Sequence, residues 1–211
     1  MMTKLHGLYV ITDPTLTADD ELIKKVALAI AGGARIIQYR NKHAEPDHCA
    51  QELIALRELC HHHDATLLIN DDVQLAKLVG ADGVHLGQQD LDLANARQLL
   101  GPDAIIGITC HDSLELAKTA VTGGADYIAF GRFFPSKSKP DAPPAKVDIL
   151  EQAHTELNIP IVAIGGITPS NGDILLRHGA DMLAVIHGVF GQADIELAAK
   201  KYAHLFQDDS S

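Results

Sequence analysis

The stretch Gly80-Ala81-Asp82-Gly83-Val84-His85-Leu86-Gly87-Gln88-Gln89-Asp90 decides how this chain of 211 residues is read. It opens on a glycine suited to a left-handed cap after a helix, with an alanine that lets the chain turn close against a sheet. A short apolar run follows, and polarity then returns at once in Gly87-Gln88-Gln89-Asp90. The opening phrase recurs as Gly33-Ala34-Arg35, Gly124-Ala125-Asp126 and Gly179-Ala180-Asp181. Each copy stands roughly 45 to 55 residues after the last, about the length of two strand–helix units.

Outward from that stretch, apolar runs occupy residues 8–12, 36–40, 66–71, 83–86, 105–109, 127–131, 161–164 and 182–186, with amphipathic stretches between them. Such alternation implies parallel strands joined by crossover helices. The glycine–alanine phrase precedes the second, fourth, sixth and eighth runs. A signal at every second unit favours a closed barrel over an open doubly wound sheet. The expected fold class is therefore α/β: a single (β/α)8 TIM barrel over residues 1–211, with about 207–211 a disordered tail and the active site at the C-terminal ends of the strands. Thr168-Pro169 predicts an N-cap with proline at the first helical position, and Asp112 with Glu115 resembles a capping box. Ile195, Ala198, Ala199, Tyr202, Leu205 and Phe206 recur at helical spacing and predict the buried stripe of the last helix.

Apolar residues make up 46% of the chain but aromatics only 4%, so Ile, Leu, Val and Ala must fill the core. No apolar run approaches the ~20 residues that span a bilayer, and the first residues lack a signal peptide's apolar segment. Cys49 and Cys60 share an apolar stripe with Leu53 and Leu56, as ordinary core residues do. Three cysteines cannot all pair within the chain, so a reducing, cytoplasmic setting fits best. A formal net charge of -11 argues against a nucleic-acid partner but not against a phosphorylated small molecule. No membrane partner is expected, and a homo-oligomer is compatible with the sequence.

Polar residues gather where the runs end, which is where barrels of this kind keep their chemistry. The second run ends Gln38-Tyr39-Arg40-Asn41-Lys42, and strand alternation puts Gln38 and Arg40 on one face with Tyr39 on the other. The third ends Asn70-Asp71-Asp72, the fourth leads to Asp90, the fifth ends at Thr109 and the eighth at Ile186-His187. Asp71 or Asp72 alone reads as a helix cap, and so does Asp90. Two carboxylates from neighbouring strand ends, near Lys and Arg, suit Mg²⁺ better, since that ion takes one or two carboxylates together with substrate phosphates. Gly165-Gly166, after the seventh run and before a helix, matches the usual phosphate position of these barrels. His85 reads as a packed rim residue, and His61-His62-His63 as polar residues closing a helix. The stretch 131–145 interleaves Arg132, Lys137 and Lys139 with Ser136 and Ser138, good phosphate partners on a loop long enough to act as a lid.

The chain resembles the thiamine phosphate synthases (thiamine phosphate pyrophosphorylases) along essentially its whole length. The markers are Gln38-Tyr39-Arg40-Asn41-Lys42, Ile69-Asn70-Asp71, Val84-His85-Leu86-Gly87-Gln88-Gln89-Asp90 and Phe134-Pro135-Ser136-Lys137-Ser138-Lys139. The resemblance implies that Asp71 and Asp90 hold Mg²⁺. It implies that Gln38, Tyr39, Arg40, Asn41, Lys42, Asn70, Thr109 and Lys139 hold an aminopyrimidine and its diphosphate. It places Ser136, Lys137, Ser138, Gly166, Ile186 and His187 at a thiazole phosphate, and casts Lys139, Arg40 and Lys42 as the catalytic cations. Some positions depart from the common pattern: Ser136 and Ser138 stand for Thr, Thr109 for Ser, Arg132 for Pro and His187 for Ser. A thiazole tautomerase shares the fold, but a histidine typical of it, near position 132, is an arginine here. A phosphate-ligand sensor would leave a magnesium and diphosphate constellation without purpose.

Overall fold

A computed structural model describes residues 5–18, 21–42, 46–135 and 144–207, with residues 46–48 as backbone only. Strands β1 (Gly7–Ile11), β2 (Ala34–Tyr39), β3 (Thr66–Asn70), β4 (Gly83–Leu86), β5 (Ile105–His111), β6 (Tyr127–Phe130), β7 (Ile161–Ile164) and β8 (Met182–Val185) pair in chain order and in parallel, and β8 closes back on β1. Helices α1 (Leu22–Ala31), α2 (Pro46–His62), α3 (Val73–Val79), α4 (Leu93–Leu100), α5 (Leu114–Thr122), α6 (Asp148–Glu156) and α7 (Gly172–Arg177) connect them. A short α8 (His187–Phe190) and then α9 (Ile195–Ala203) follow β8. The expected TIM barrel is the fold of this chain.

Strand alternation divides the apolar residues into two cores. Outward-facing positions such as Val10, Ile37, Leu67, Ile69, Ile106 and Ile128 meet the helices, and Cys49, Leu53, Leu56 and Cys60 of α2 supply one buried stripe there, as expected. Inward positions such as Tyr9, Ile36, Leu68, Tyr127, Val162 and Met182 fill the barrel itself. Gly107 on β5 makes this filling feasible. A Cβ built there would lie 1.9 Å from the Tyr127 ring, so the missing side chain is where the tyrosine sits.

The recurring phrase has a physical account. Gly33, Gly80, Gly124 and Gly179 all take left-handed φ, between 66° and 104°. The aspartates beyond them reach across to the preceding strand. Asp82 accepts the Leu67 N–H at 2.7 Å, Asp126 the Ile106 N–H at 2.8 Å and Asp181 the Ile161 N–H at 2.8 Å. Each carboxylate thus satisfies an N–H at or near the start of the odd-numbered strand beside its own, which is why the signal returns at every second unit. Arg97 (2.6 Å) braces Asp126, and His61 (3.0 Å) meets Asp82.

Three helix starts differ from expectation. Ser113, not Asp112, caps α5 by accepting the Leu116 N–H, because β5 runs on to His111 and delays the helix. Thr168-Pro169 opens a turn rather than α7. The Asn171 carboxamide accepts the Thr168 N–H at 2.7 Å and donates to the Gly166 carbonyl, so the chain turns once more before the helix begins. Asp92, not Asp90, caps α4 through the Asn95 N–H. Asp72 caps α3 through the Leu75 N–H, in line with its cap reading. In the last helix Ile195, Ala198, Ala199 and Tyr202 are buried, whereas Leu205 and Phe206 lie in a closing 3-10 turn and are only partly covered.

Candidate active site

With Asp72 and Asp92 taken up as caps, Asp71 and Asp90 are released to the mouth. Asp71 follows β3 in a left-handed conformation, φ 63°, with its N–H given to the His85 carbonyl at 2.9 Å. A non-glycine residue rarely adopts that backbone, and such strain gathers at functional sites. The Lys42 ammonium lies 3.4 Å from the Asp71 carboxylate, and both side chains keep contact with water. Asp90 accepts the Gly87 N–H at 2.6 Å. Partial loss of water and then the neighbouring Asp71 carboxylate raise the Asp90 carboxyl above its ordinary value, while the Gly87 N–H and Lys42 oppose them. Two carboxylates therefore crowd one another beside the Lys42 ammonium. Among the described residues no group of three or more His, Cys, Asp or Glu gathers at one point, so an ion here has two carboxylates to bind. That donor set fits a hard cation that completes its shell with water and phosphate oxygens.

Beneath the mouth lies a floor of polar side chains that periodicity did not single out. The Gln38 amide donates to the Tyr9 hydroxyl at 2.6 Å, and Tyr9 and Tyr127 bond at 3.0 Å. His85 completes the row, Nδ1 at 2.8 Å from the Tyr127 hydroxyl and Nε2 at 2.8 Å from the Thr109 hydroxyl. Burial pushes both tyrosine hydroxyls well above their usual range, so they stay protonated. His85 is thus held in the barrel by both ring nitrogens, which refines its reading as a packed rim residue. A signal for the tyrosines did exist: Gln38 sets the inward phase of β2, and Tyr9 and Tyr127 occupy the same phase on β1 and β6.

The other named residues divide by direction. Gln38 is buried and inward, while Tyr39 points outward among the helices, 6% exposed, with its hydroxyl pushed up to about 12 mainly by burial. Arg40 follows β2, its N–H held by the Thr12 hydroxyl at 2.9 Å. The Asp13 carboxyl is lowered chiefly by the Thr15 hydroxyl, and Arg40 adds to this. Asn41 and Lys42 continue onto the rim, Lys42 exposed. Asn70 ends β3 and Thr109 lies near the end of β5, where the Gln88 side chain reaches the Thr109 carbonyl.

Around the far side of the mouth the backbone is tight. Phe133 N–H bonds the Ile164 carbonyl at 3.2 Å and Phe134 N–H the Gly165 carbonyl at 3.0 Å. A Cβ on Gly165 would stand 2.2 Å from Arg132 Cβ, and one on Gly166 2.3 Å from the Pro135 carbonyl oxygen. Close passage of residues 132–135 therefore already requires both glycines. Ser136, Lys137, Ser138 and Lys139 lie outside the described residues, but the chain on either side converges, since Ala145 N–H bonds the Arg132 carbonyl at 2.7 Å. Ile186 joins the interior core and precedes α8, and the exposed His187 lays its ring over Gly191. The rim thus brings Arg40, Lys42, Asn70, Asp71, Asp90, Thr109, Gly166, Ile186 and His187 to one end of the barrel.

The family model described as thiamine monophosphate synthase matches residues 8–189. The chain is 55% identical over 202 residues to the thiamine-phosphate synthase of Marinobacter nauticus, covering 95% of this chain and 90% of the relative. It is 48% identical to that of Alcanivorax borkumensis, covering 99% and 97%. Among solved structures, thiamine phosphate pyrophosphorylase from Pyrococcus furiosus superposes with a TM-score of 0.89 at 36% identity, covering 99% of this chain and 98% of that one. A 3-hexulose-6-phosphate synthase, at 17% identity and a TM-score of 0.71, shares the fold.

Proposed function

The chain belongs to the thiamine monophosphate synthase family and is a transferase of thiamine biosynthesis, and on that premise we propose that it joins an aminopyrimidine diphosphate ester (4-amino-2-methyl-5-(diphosphooxymethyl)pyrimidine) to a thiazole phosphate (4-methyl-5-(2-phosphooxyethyl)thiazole), with Mg²⁺ as cofactor. The observation that carries the reading is the pair Asp71 and Asp90, crowded together at neighbouring strand ends with Lys42 3.4 Å from Asp71. Asp71 and Asp90 would hold the ion, which when bound supplies positive charge to the diphosphate. Arg40, Lys42 and Lys139 would bind the remaining phosphate oxygens. Gln38, Asn70 and Thr109 would orient the pyrimidine end, and Tyr39 and Asn41 would serve through backbone groups or by shaping the loop. Ser136, Lys137, Ser138, the Gly166 N–H and the N–H groups at Ile186 and His187 would take the thiazole phosphate.

In the reaction the methylene C–O bond breaks and its electron pair leaves with the diphosphate. The electron-rich aminopyrimidine spreads the positive charge left on carbon, and the thiazole nitrogen lone pair then forms the C–N bond. No strong base is needed, which suits a mouth furnished with cations and hydroxyls over a floor of hydrogen-bonded polar groups. The residues act by holding the nucleophile within attacking distance and by meeting charge that grows on the leaving group. No helix among the described residues is long and apolar enough to cross a membrane, in keeping with small diffusible substrates. The test is turnover of the purified protein with both substrates, with and without Mg²⁺. Thiamine phosphate and diphosphate should appear in equal amounts and only with the ion. Their absence, or a tautomerised thiazole instead, would overturn the reading.

A further inference from the structure

The polar floor contains more hydrogens than it has bonds among its own members, and where the surplus goes has a chemical consequence. The hydroxyls of Tyr9, Tyr127 and Thr109 and a neutral His85 ring carry four protons, while only three bonds link them. The Gln38 amide N–H enters one end as a donor, occupying Tyr9 from that side. Tyr9 must then give its proton to Tyr127, and Tyr127 must give its own to His85 Nδ1. The ring is left with its hydrogen on Nε2, which it donates to the Thr109 oxygen. Thr109 keeps the surplus proton.

Reversing the Tyr127–His85 link would leave Tyr127 accepting from both sides with its own proton stranded. Tyr9 is 1% and Tyr127 0% exposed, and among the described residues neither hydroxyl has a further acceptor. A buried hydroxyl without an acceptor is costly, whereas Thr109 stands half-exposed at the mouth. The surplus therefore moves away from the buried tyrosines to Thr109, the partly exposed end of the row.

We infer that His85 is a positioning residue: held as its Nε2–H tautomer by Tyr127, it engages one lone pair of the Thr109 oxygen, so that Thr109 turns its hydroxyl proton toward the ligand as a donor. The site accordingly favours, at this point, a ligand atom with a lone pair to accept that proton, such as a diphosphate oxygen or a ring nitrogen. A hydroxyl free to rotate would accept as readily as donate and would make no such choice. This rests on the mouth being the seat of a phosphorylated heterocycle, as proposed above.

The direct test is ¹⁵N NMR of the imidazoles in the ligand-free protein at neutral pH. His85 is picked out among the twelve histidines by the signals lost in His85→Gln, or by those shifted in Thr109→Ser should the first variant fold poorly. A neutral ring protonated on Nε2 is expected, and Tyr127→Phe should release it to a mixture of tautomers. An Nδ1–H tautomer or an imidazolium in the wild type overturns the inference. The second arm is kinetic, at matched thermal stability. His85→Leu should lose about tenfold or more in kcat/KM, while His85→Gln, whose amide N–H reaches as Nε2–H does, should recover most of it. Equal losses in the two variants would leave His85 a packing residue and sink the positioning role. Should the protein fail to make thiamine phosphate at all, the proposed function falls while the tautomer result stands on its own.

Discussion

The two ends of this barrel use aspartate in opposite ways. At the N-terminal end Asp82, Asp126 and Asp181 each accept a backbone N–H of the neighbouring strand, and Asp126 is further braced by Arg97 at 2.6 Å. Each of these carboxylates is held by a strand N–H, and the rim is sewn together. At the C-terminal end Asp71 and Asp90 face one another, one of them on a left-handed backbone, with Lys42 at 3.4 Å their partial relief. The first arrangement stabilises the fold. The second stores repulsion that a bound cation would remove, and it is the kind of local conflict that proteins tolerate where they work. Carboxylates at one end should thus matter for stability, and at the other for activity.

The largest effect should come from breaking the working end. Asp71→Ala and Asp90→Ala should each lower Mg²⁺-dependent turnover by about 10³ or more, a loss on the scale of whole catalytic groups, with no fall in melting temperature. Asp72→Ala is the contrast within the same loop. It should cost about 1 kcal/mol of stability, as a lost N-cap does, and leave most activity. Steady-state rates over a magnesium titration, with thermal denaturation in parallel, would decide. Full activity at moderate magnesium in either of the first two variants would remove that residue from the ion site.

Next in size is Lys139, whose expected role comes from the sequence and which lies outside the described residues. If charge on the departing diphosphate sets the barrier, Lys139→Ala should lower kcat by about 10²–10³, with Lys139→Arg recovering only part. Single-turnover formation of thiamine phosphate under saturating substrates measures this. A loss below about threefold, far short of that range, would mean that the lysine does not serve the leaving group.

The stability end should respond in the opposite currency. Asp126→Ala or Asp181→Ala strands a strand N–H and should cost about 1–3 kcal/mol, read from denaturant unfolding, while kcat per folded molecule stays unchanged. A variant that kept its stability but lost turnover would erase the division between the two rims. The smallest effect sharpens the comparison further. Asp90→Asn in the presence of a chelator should raise the melting temperature by about 1–3 °C at neutral pH, because it relieves repulsion with Asp71. The sign follows from the raised Asp90 carboxyl, whose ionisation on folding is unfavourable; the gain should fade as the pH falls and the wild-type group takes up a proton. A drop at neutral pH would show that Asp90 is already well compensated without an ion.

How much of this was legible beforehand depends on the range of the interaction concerned. The eight apolar runs, the alternation that turns Gln38 inward and Tyr39 outward, and the recurring glycine–alanine phrase are consequences of local geometry, so the barrel and the end on which its polar residues gather followed from the sequence alone. The residues of the candidate site were named through motifs carried by strand ends, which a parallel barrel necessarily collects on one side. Tertiary structure decided what local pattern left degenerate. Asp71 or Asp72, Asp90 or Asp92, and Asp112 or Ser113 are equally good caps in sequence, and the start of each helix chose between them. It also decided that Tyr9, Tyr127, His85, Thr109 and Gln38, from five different strands, meet inside the barrel, where hydroxyls cut off from water must find partners. Periodicity records which face a residue takes, whereas only closure of the sheet determines what it meets there.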